Sequence, residues 1–262
     1  MQHFEHDGFD IAFIDRRPER GDGEPVLLIH GFASNHFTNW VSPGWMKTLT
    51  DAGYRTIALD NRGHGESAKS YDPADYTPEK MAGDAIALLD RLEIDVAHVM
   101  GYSMGARIAA FLALSEPQRV ATLVFGGLGI GMVDGVGDWD PIAEALAADD
   151  PASTTHARGR AFRTFADQTK SDRKALAACI STSRQELSEA EMARITQPTL
   201  IAVGTKDDIA GSAAELAALM PKAAAFDIEG RDHMLAVGDR NFKARVLEFL
   251  AANPLKDAIH SD

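Results

Sequence analysis

Short apolar runs bounded by turn residues alternate with helix-period patterns through the first half of the chain. Val26–His30, Thr56–Leu59, Val96–Gly101 and Ala121–Phe125 are apolar almost throughout, as expected of strands covered on both faces. A weaker pair, Gln2–His6 and Phe9–Asp15, turns at Asp7-Gly8, a dipeptide suited to a tight hairpin. Helices are marked by caps as well as stripes. Thr77-Pro78 supplies an N-cap and a proline at the first helical position, and Met81, Ala85, Leu88, Leu89 and Leu92 then share one face. Met104, Ile108, Phe111 and Leu112 repeat at helical spacing until Pro117 stops the run. This alternation predicts an α/β fold with a mostly parallel central sheet and helices on both faces.

From about Gly126 to Gln197 the strand signal stops. Helix signals replace it at Pro141–Ala148, His156–Asp167, Asp172–Ile180 and Glu189–Ile195, the last opened by the capping box Ser188-x-x-Glu191. Alternation then resumes with a strand at Thr199–Val203, a helix from Ser212-x-x-Glu215 to Met220 and a strand near Ala224–Ile228. A final helix carries Phe242, Val246, Phe249 and Leu250 on one face. The expected organisation is one domain, residues 1–126 and 198–262, interrupted by a helical cap insertion over 127–197.

Composition narrows the class. A chain of 262 residues, 45% hydrophobic and 25% charged, can bury a large core without disulfides. The single Cys179 excludes an internal disulfide or a multi-cysteine metal site; with Leu176 and Ile180 it falls on an apolar helix face, where it acts as a small hydrophobe. The net charge of −13 repels phosphate backbones and anionic lipid, so neither nucleic acid nor a membrane is an expected partner. No basic segment followed by an apolar stretch opens the chain, and the longest apolar run, Ile108–Leu114, is too short to span a bilayer. A cytoplasmic location is expected, and the oligomeric state is left open. Gly127-x-Gly129-x-Gly131 follows a strand, but Met132 stands where a dinucleotide fingerprint needs its third glycine; it reads as a flexible entrance to the cap. Asp134, Asp138 and Asp140 lack the rest of a calcium loop. No cofactor and no metal is expected.

The chemistry centres on Gly101-Tyr102-Ser103-Met104-Gly105, placed where a buried strand ends and an amphipathic helix begins. A sharp turn there lifts the serine hydroxyl above the sheet, and the helix start stabilises a developing oxyanion. The competing reading is a plain helix N-cap serine. A nucleophilic serine needs a base, and the base needs an acceptor to orient it. Of nine histidines, His233 stands in a loop after the last predicted strand, and Asp207 and Asp208 follow an earlier strand tip. Met104 supplies one oxyanion amide by position, and His30-Gly31-Phe32 can supply the second through Phe32. His30 itself reads as a packed, hydrogen-bonded residue.

These pieces, together with Asp60-Asn-Arg-Gly-His-Gly-Glu-Ser67 and Gly204-x-x-Asp207, resemble the α/β-hydrolase superfamily. The resemblance runs along nearly the whole chain and implies a catalytic triad of Ser103, Asp207 and His233, with Asp208 as the fallback acid. The Asp60–Ser67 loop reads as a turn supported by Asp60 and Arg62, with His64 near the site. Haloalkane dehalogenases and epoxide hydrolases of the superfamily use an aspartate where this chain has Ser103, which disfavours both activities.

The expected activity is therefore hydrolysis of a small-molecule carboxylic ester, with Trp40, Trp139, Phe162, Phe165 and Met234 as candidates to line the acyl pocket beside Phe32 and Met104. Carbon–carbon hydrolysis, or lyase chemistry, would use the same triad, and the elbow Gly101–Arg107 is similar to that of a menaquinone-pathway lyase. A perhydrolase outcome would too. A non-catalytic binding protein of the same fold would have no need of all three residues. The cap is unusually basic at Arg158, Arg160, Arg163, Lys170, Arg173 and Lys174. That cluster reads as a solvated helix face, or alternatively as an attractor for anionic substrates.

Overall fold

The computed structural model describes residues 1–255; the final residues of the expected 198–262 segment, 256–262, lie outside the described residues. Eight strands among these residues form one sheet: β1 (Gln2–His6), β2 (Phe9–Arg16), β3 (Pro25–Ile29), β4 (Arg55–Leu59), β5 (Ala97–Tyr102), β6 (Val120–Gly126), β7 (Thr199–Gly204) and β8 (Ala223–Ile228). Their spatial order is β1-β2-β4-β3-β5-β6-β7-β8. β2 pairs antiparallel with β1 and β4, and every other pairing is parallel. The N-terminal hairpin turns at Asp7-Gly8, both with positive φ, as the dipeptide predicts.

The helices are α1 (Trp45–Asp51), α2 (Pro78–Arg91), α3 (Met104–Ser115), α4 (Gly131–Asp134), α5 (Asp140–Ala147), α6 (Ala157–Gln168), α7 (Arg173–Thr182), α8 (Glu189–Arg194), α9 (Ala213–Ala218), α10 (His233–Ala236) and α11 (Arg240–Ala252). Strand residues alternate between two layers because successive side chains leave opposite faces of a strand. Leu27, Ile29, Ile57, Leu59, Val99, Leu123, Phe125 and Ile201 join the core under α2, α3 and α9. Their neighbours Val26, Leu28, Ala58, Met100, Val124 and Leu200 join the opposite core with Trp45, Phe242 and Val246 of α1 and α11. Both faces are dry, which is why these strands read as continuous apolar runs rather than alternating ones.

Helices α4–α8 lie between β6 and β7, and their inner side chains continue the first core through Met132, Trp139, Ile142, Leu176 and Ile180. The stretch after β6 is not a loose entrance. Gly129 and Gly131 donate to Ala210 O at 2.9 and 3.1 Å, and Ile130 donates to Ser212 O at 2.9 Å. A Cβ on Gly129 would stand 2.6 Å from Gly211 O, so glycine is there for close backbone approach. Arg107 of α3 donates to the carbonyls of Gly131, Met132 and Gln185, and Leu187 N donates to Met132 O. These bonds draw the two ends of the helical segment together. No helix among the described residues is long and apolar enough to cross a membrane.

Candidate active site

β5 is buried along its whole length and α3 starts two residues after the strand's last residue, Tyr102, leaving Ser103 to make the turn alone at φ 55°, ψ −113°. That backbone conformation costs a residue with a Cβ about 1–3 kcal/mol. Packing enforces it: a Cβ on Gly101 would stand 2.1 Å from Gly105 O, and one on Gly105 would stand 2.0 Å from Ile29 O. Ser103 makes no side-chain cap bond to α3, so its hydroxyl is not spent on ending the helix.

His233 stands at the first position of the short helix α10, not in an open loop as its sequence context suggests. Asp232 caps that turn by accepting from Met234 N and Leu235 N at 3.1 and 2.8 Å. The Tyr102 phenol donates to His233 O at 2.5 Å, and the two rings pack with centroids 5.7 Å apart. The turn after β7 carries Asp207. Its Oδ1 accepts from Ile209 N and Ala210 N at 2.9 and 3.0 Å, which aims Oδ2 at His233 Nδ1, 2.8 Å away. Burial pushes the Asp207 carboxyl up, but the hydrogen bond and charge of His233 and the two amides outweigh it and hold the group below its ordinary range. An ionised Asp207 fixes the proton on Nδ1 and leaves Nε2 as acceptor towards Ser103 Oγ at 3.1 Å. Of the two sequence candidates, Asp207 meets His233; Asp208 instead accepts from Arg158 through its backbone carbonyl at 3.5 Å.

The loop after β3 lies against this turn, with the Gly31 Cβ position 3.4 Å from Ser103 Cβ. Gly31 N donates to Asn39 Oδ1 at 2.8 Å. His30 is fully buried, donates from Nδ1 to Gly31 O at 2.8 Å and accepts from Asn61 N at Nε2. Burial lowers its pKa, as it lowers that of neighbouring His64 to about 3, so both rings are neutral packing elements. Neither Phe32 N–H nor Met104 N–H donates to any group among the described residues. Met104 follows Ser103 directly, and Phe32 lines the same cavities as Ser103.

The space over Ser103 is apolar. Phe32, Trp139 and Phe162 form an aromatic cluster with ring centroids 5.3–6.3 Å apart. A cavity of about 80 Å³ runs between Ser103, His233, Trp139, Phe162, Phe165 and Met234. Trp40 is a correction: it is fully buried against Trp45 in the opposite core and does not border this cavity. Its π-helical turn, Phe37–Val41, directs it under the sheet while Phe37 faces out. Tyr102 and Asn39 are positioned groups that sequence reasoning passed over. Tyr102 stood in the elbow motif as an unspecified residue, and Asn39 carries no local signal.

The basic stretch of α6 and α7 is also not what charge alone suggests. Arg163 is buried and donates to Ala145 O and Ala148 O at 2.8 and 2.7 Å, and Arg173 donates to Ala148 O at 3.0 Å. Both satisfy the carbonyl end of α5, where a cation is favoured. Arg160 donates to Thr154 O and Thr155 O. Arg158 borders the outer mouth together with Asp138, His156 and Asp208. Among the described residues no group of three or more His, Cys, Asp or Glu is placed to hold a metal ion.

A family model described as alpha/beta hydrolase fold matches residues 24–166. Among curated proteins, the chain is 43% identical over 108 residues to an epoxide hydrolase of Caballeronia sordidicola, covering 41% of this chain and 32% of that one. It is 39% identical over 110 residues to the dihydrolipoyllysine-residue acetyltransferase component of the acetoin cleaving system of Pseudomonas putida, covering 42% of this chain and 28% of that one. The chain thus spans about a third of the length of these curated relatives. A hydrolase from Pseudomonas aeruginosa PA01 of known crystal structure is 26% identical, with a TM-score of 0.79 over 95% of this chain and 97% of that one.

Proposed function

The chain belongs to the alpha/beta hydrolase family, and from that premise we propose that it is a serine hydrolase cleaving carboxylic esters through an acyl-enzyme on Ser103. The observation that carries this reading is the hydrogen-bonded series Asp207–His233–Ser103, ending in a serine hydroxyl that caps nothing. Ser103 Oγ attacks the ester carbonyl carbon while its proton passes to His233 Nε2. The carbonyl π electrons move onto oxygen, and that oxyanion takes hydrogen bonds from Phe32 N–H and Met104 N–H beside the positive end of α3. As the carbonyl re-forms, the C–O bond to the alcohol breaks and His233 Nε2–H delivers its proton to the departing oxygen. Water then gives a proton to His233 and attacks the acyl-serine; the acid leaves and Ser103 regains its proton. Asp207 keeps the ring in the tautomer this cycle needs and supports its positive charge. Helices α5–α7 serve as the cap that shields these steps from bulk water.

The similarity to an epoxide hydrolase does not change the reading. A serine that opened an epoxide would be left as an alkyl ether, which a base-activated water cannot cleave. A carboxylate in that place would form an ester, which water can cleave, but position 103 is serine. Treatment with an alkyl fluorophosphonate, followed by peptide mass mapping, tests the proposal. One adduct on Ser103 with loss of p-nitrophenyl acetate turnover is expected, and Ser103→Ala should lose about 10⁴-fold or more in kcat without losing its fold. Turnover that survives that substitution overturns the assignment.

A further inference from the structure

Ser103 borders two cavities of unequal size. The cavity of about 80 Å³ includes His233 in its wall and shares Phe162, Phe165 and Met234 with an outer mouth of about 620 Å³. The second, of about 30 Å³, lies beyond Ser103 against Met104, Leu128, Trp139, Ile180 and Ile209, and His233 does not border it. The departing oxygen must receive its proton from His233 Nε2, so the alcohol half of an ester lies on the His233 side. The acyl half is left with the smaller cavity.

Size then limits chemistry. A cavity of about 150 Å³ holds a benzene ring, and one water needs about 10–15 Å³, so the smaller space fits about one or two carbons beyond the carbonyl. Its wall is stiff, because Arg107 at its edge is fixed by three carbonyls and Ile180 and Leu128 are buried. The mouth, in contrast, has room for a large organic group. Its walls are mainly apolar, and Arg158 there is accompanied by Asp138 and Asp208, so no single sign of charge dominates.

Resting on the ester-cleaving reading, we propose that the substrates are esters of a two- or three-carbon acid with a large, neutral, mainly apolar alcohol. The acyl group sits under Trp139 and the alcohol extends over Met234 between α6 and the Asp208–Ile209 turn.

The experiment is a kcat/KM matrix on the intact protein. One arm varies the acid in p-nitrophenyl acetate, propionate, butyrate, hexanoate and octanoate. The other varies the alcohol in ethyl, hexyl and decyl acetate, whose leaving groups have similar basicity. Acetate and propionate should lead, with hexanoate at least about tenfold slower, and decyl acetate should exceed ethyl acetate by at least about tenfold. Ile180→Ala should move the acyl optimum to butyrate or hexanoate, and Ala161→Trp at the exposed rim should lower decyl acetate more than ethyl acetate. Hexanoate or octanoate esters turned over as fast as acetate by the wild type, with Ser103 still labelled by fluorophosphonate, would overturn this inference and leave the ester reading standing. Absence of the Ser103 adduct would overturn both. The wild-type matrix decides the matter even if Ile180→Ala does not fold.

Discussion

The elbow and the helical segment above it are held in place by different means. Ser103 is located by backbone: parallel strands in register, two glycines in contact with neighbouring carbonyls, and a left-handed turn that nothing else in the packing permits. Trp139 and Phe162 are located by side chains, through aromatic contacts and through arginines bonded to the end of α5. A position fixed by backbone can be altered only by displacing strands or helices. One fixed by side chains can be reshaped by single substitutions. On the proposed function, the reacting atoms sit where change is costly, and the walls that would choose a substrate sit where change is cheap.

Asp207→Asn should make the contrast sharpest, with kcat lowered about 10⁴-fold because the imidazole then favours the wrong tautomer, while thermal unfolding moves little. Asp208→Asn, one residue on, should change kcat less than about threefold, since its carboxylate does not meet His233. Equal losses at the two positions in steady-state kinetics would erase the distinction. Arg163→Ala should do the reverse. Leaving the Ala145 carbonyl without its side-chain donor, and Ala148 O with Arg173 alone, should cost about 1 kcal/mol, or about 2–4 °C in Tm, with the acyl-length profile retained. An unchanged Tm would show that the end of α5 is satisfied without it.

Acid sensitivity should belong to the backbone-fixed region. Asp60 accepts from His36 N, His36 Nδ1 and Glu66 N; burial pushes its carboxyl up, but the hydrogen bonds from His36 and the coulombic pull of the His30 and His36 rings prevail and hold it at about 2. Because the folded value lies below the unfolded one, Asp60 stabilises the fold fully above about pH 4 and loses that contribution as pH falls towards 2. Denaturant titrations at pH 5 and pH 2 should therefore differ by about 2 kcal/mol less in Asp60→Asn than in the wild type. Tyr102→Phe gives a small effect, about 1 kcal/mol, through loss of the bond to His233 O. Its mark should be a lower kcat with KM retained.

The sheet was legible because its strands are buried on both faces, and Val26–His30, Thr56–Leu59 and Ala121–Phe125 lie within a residue or so of β3, β4 and β6. The elbow was legible for a local reason, since a strand, one turn residue and a helix are adjacent in sequence. What escaped depends on facing. Residue type alone does not say that Trp40 turns under the sheet while Trp139 turns over it. The Gly204-x-x-Asp207 spacing already pointed to Asp207 over Asp208; what it did not show is that the amides of Ile209 and Ala210 aim that carboxylate. The arginines of α6 and α7 read as a solvated face because their acceptors, the last carbonyls of α5, lie 15 to 25 residues earlier in the chain.

The bonds that join Gly129, Ile130 and Gly131 to Ala210 and Ser212, and Leu187 to Met132, bear on where this protein could be recombined with another. The turn that supplies Asp207 runs directly into the Ala210–Ser212 stretch, so the first residues after β6 are part of the scaffold of the acid. A chimera spliced at Gly127 and Gln197 would discard that scaffold along with the helices. Splice points inside the neck, after Asp134 and before Leu187, would exchange only the portion that lines the cavity over Ser103 and leave Arg107 its Gly131 and Met132 acceptors. The transplantable module is thus residues 135–186, shorter at both ends than the break in strand pattern implies.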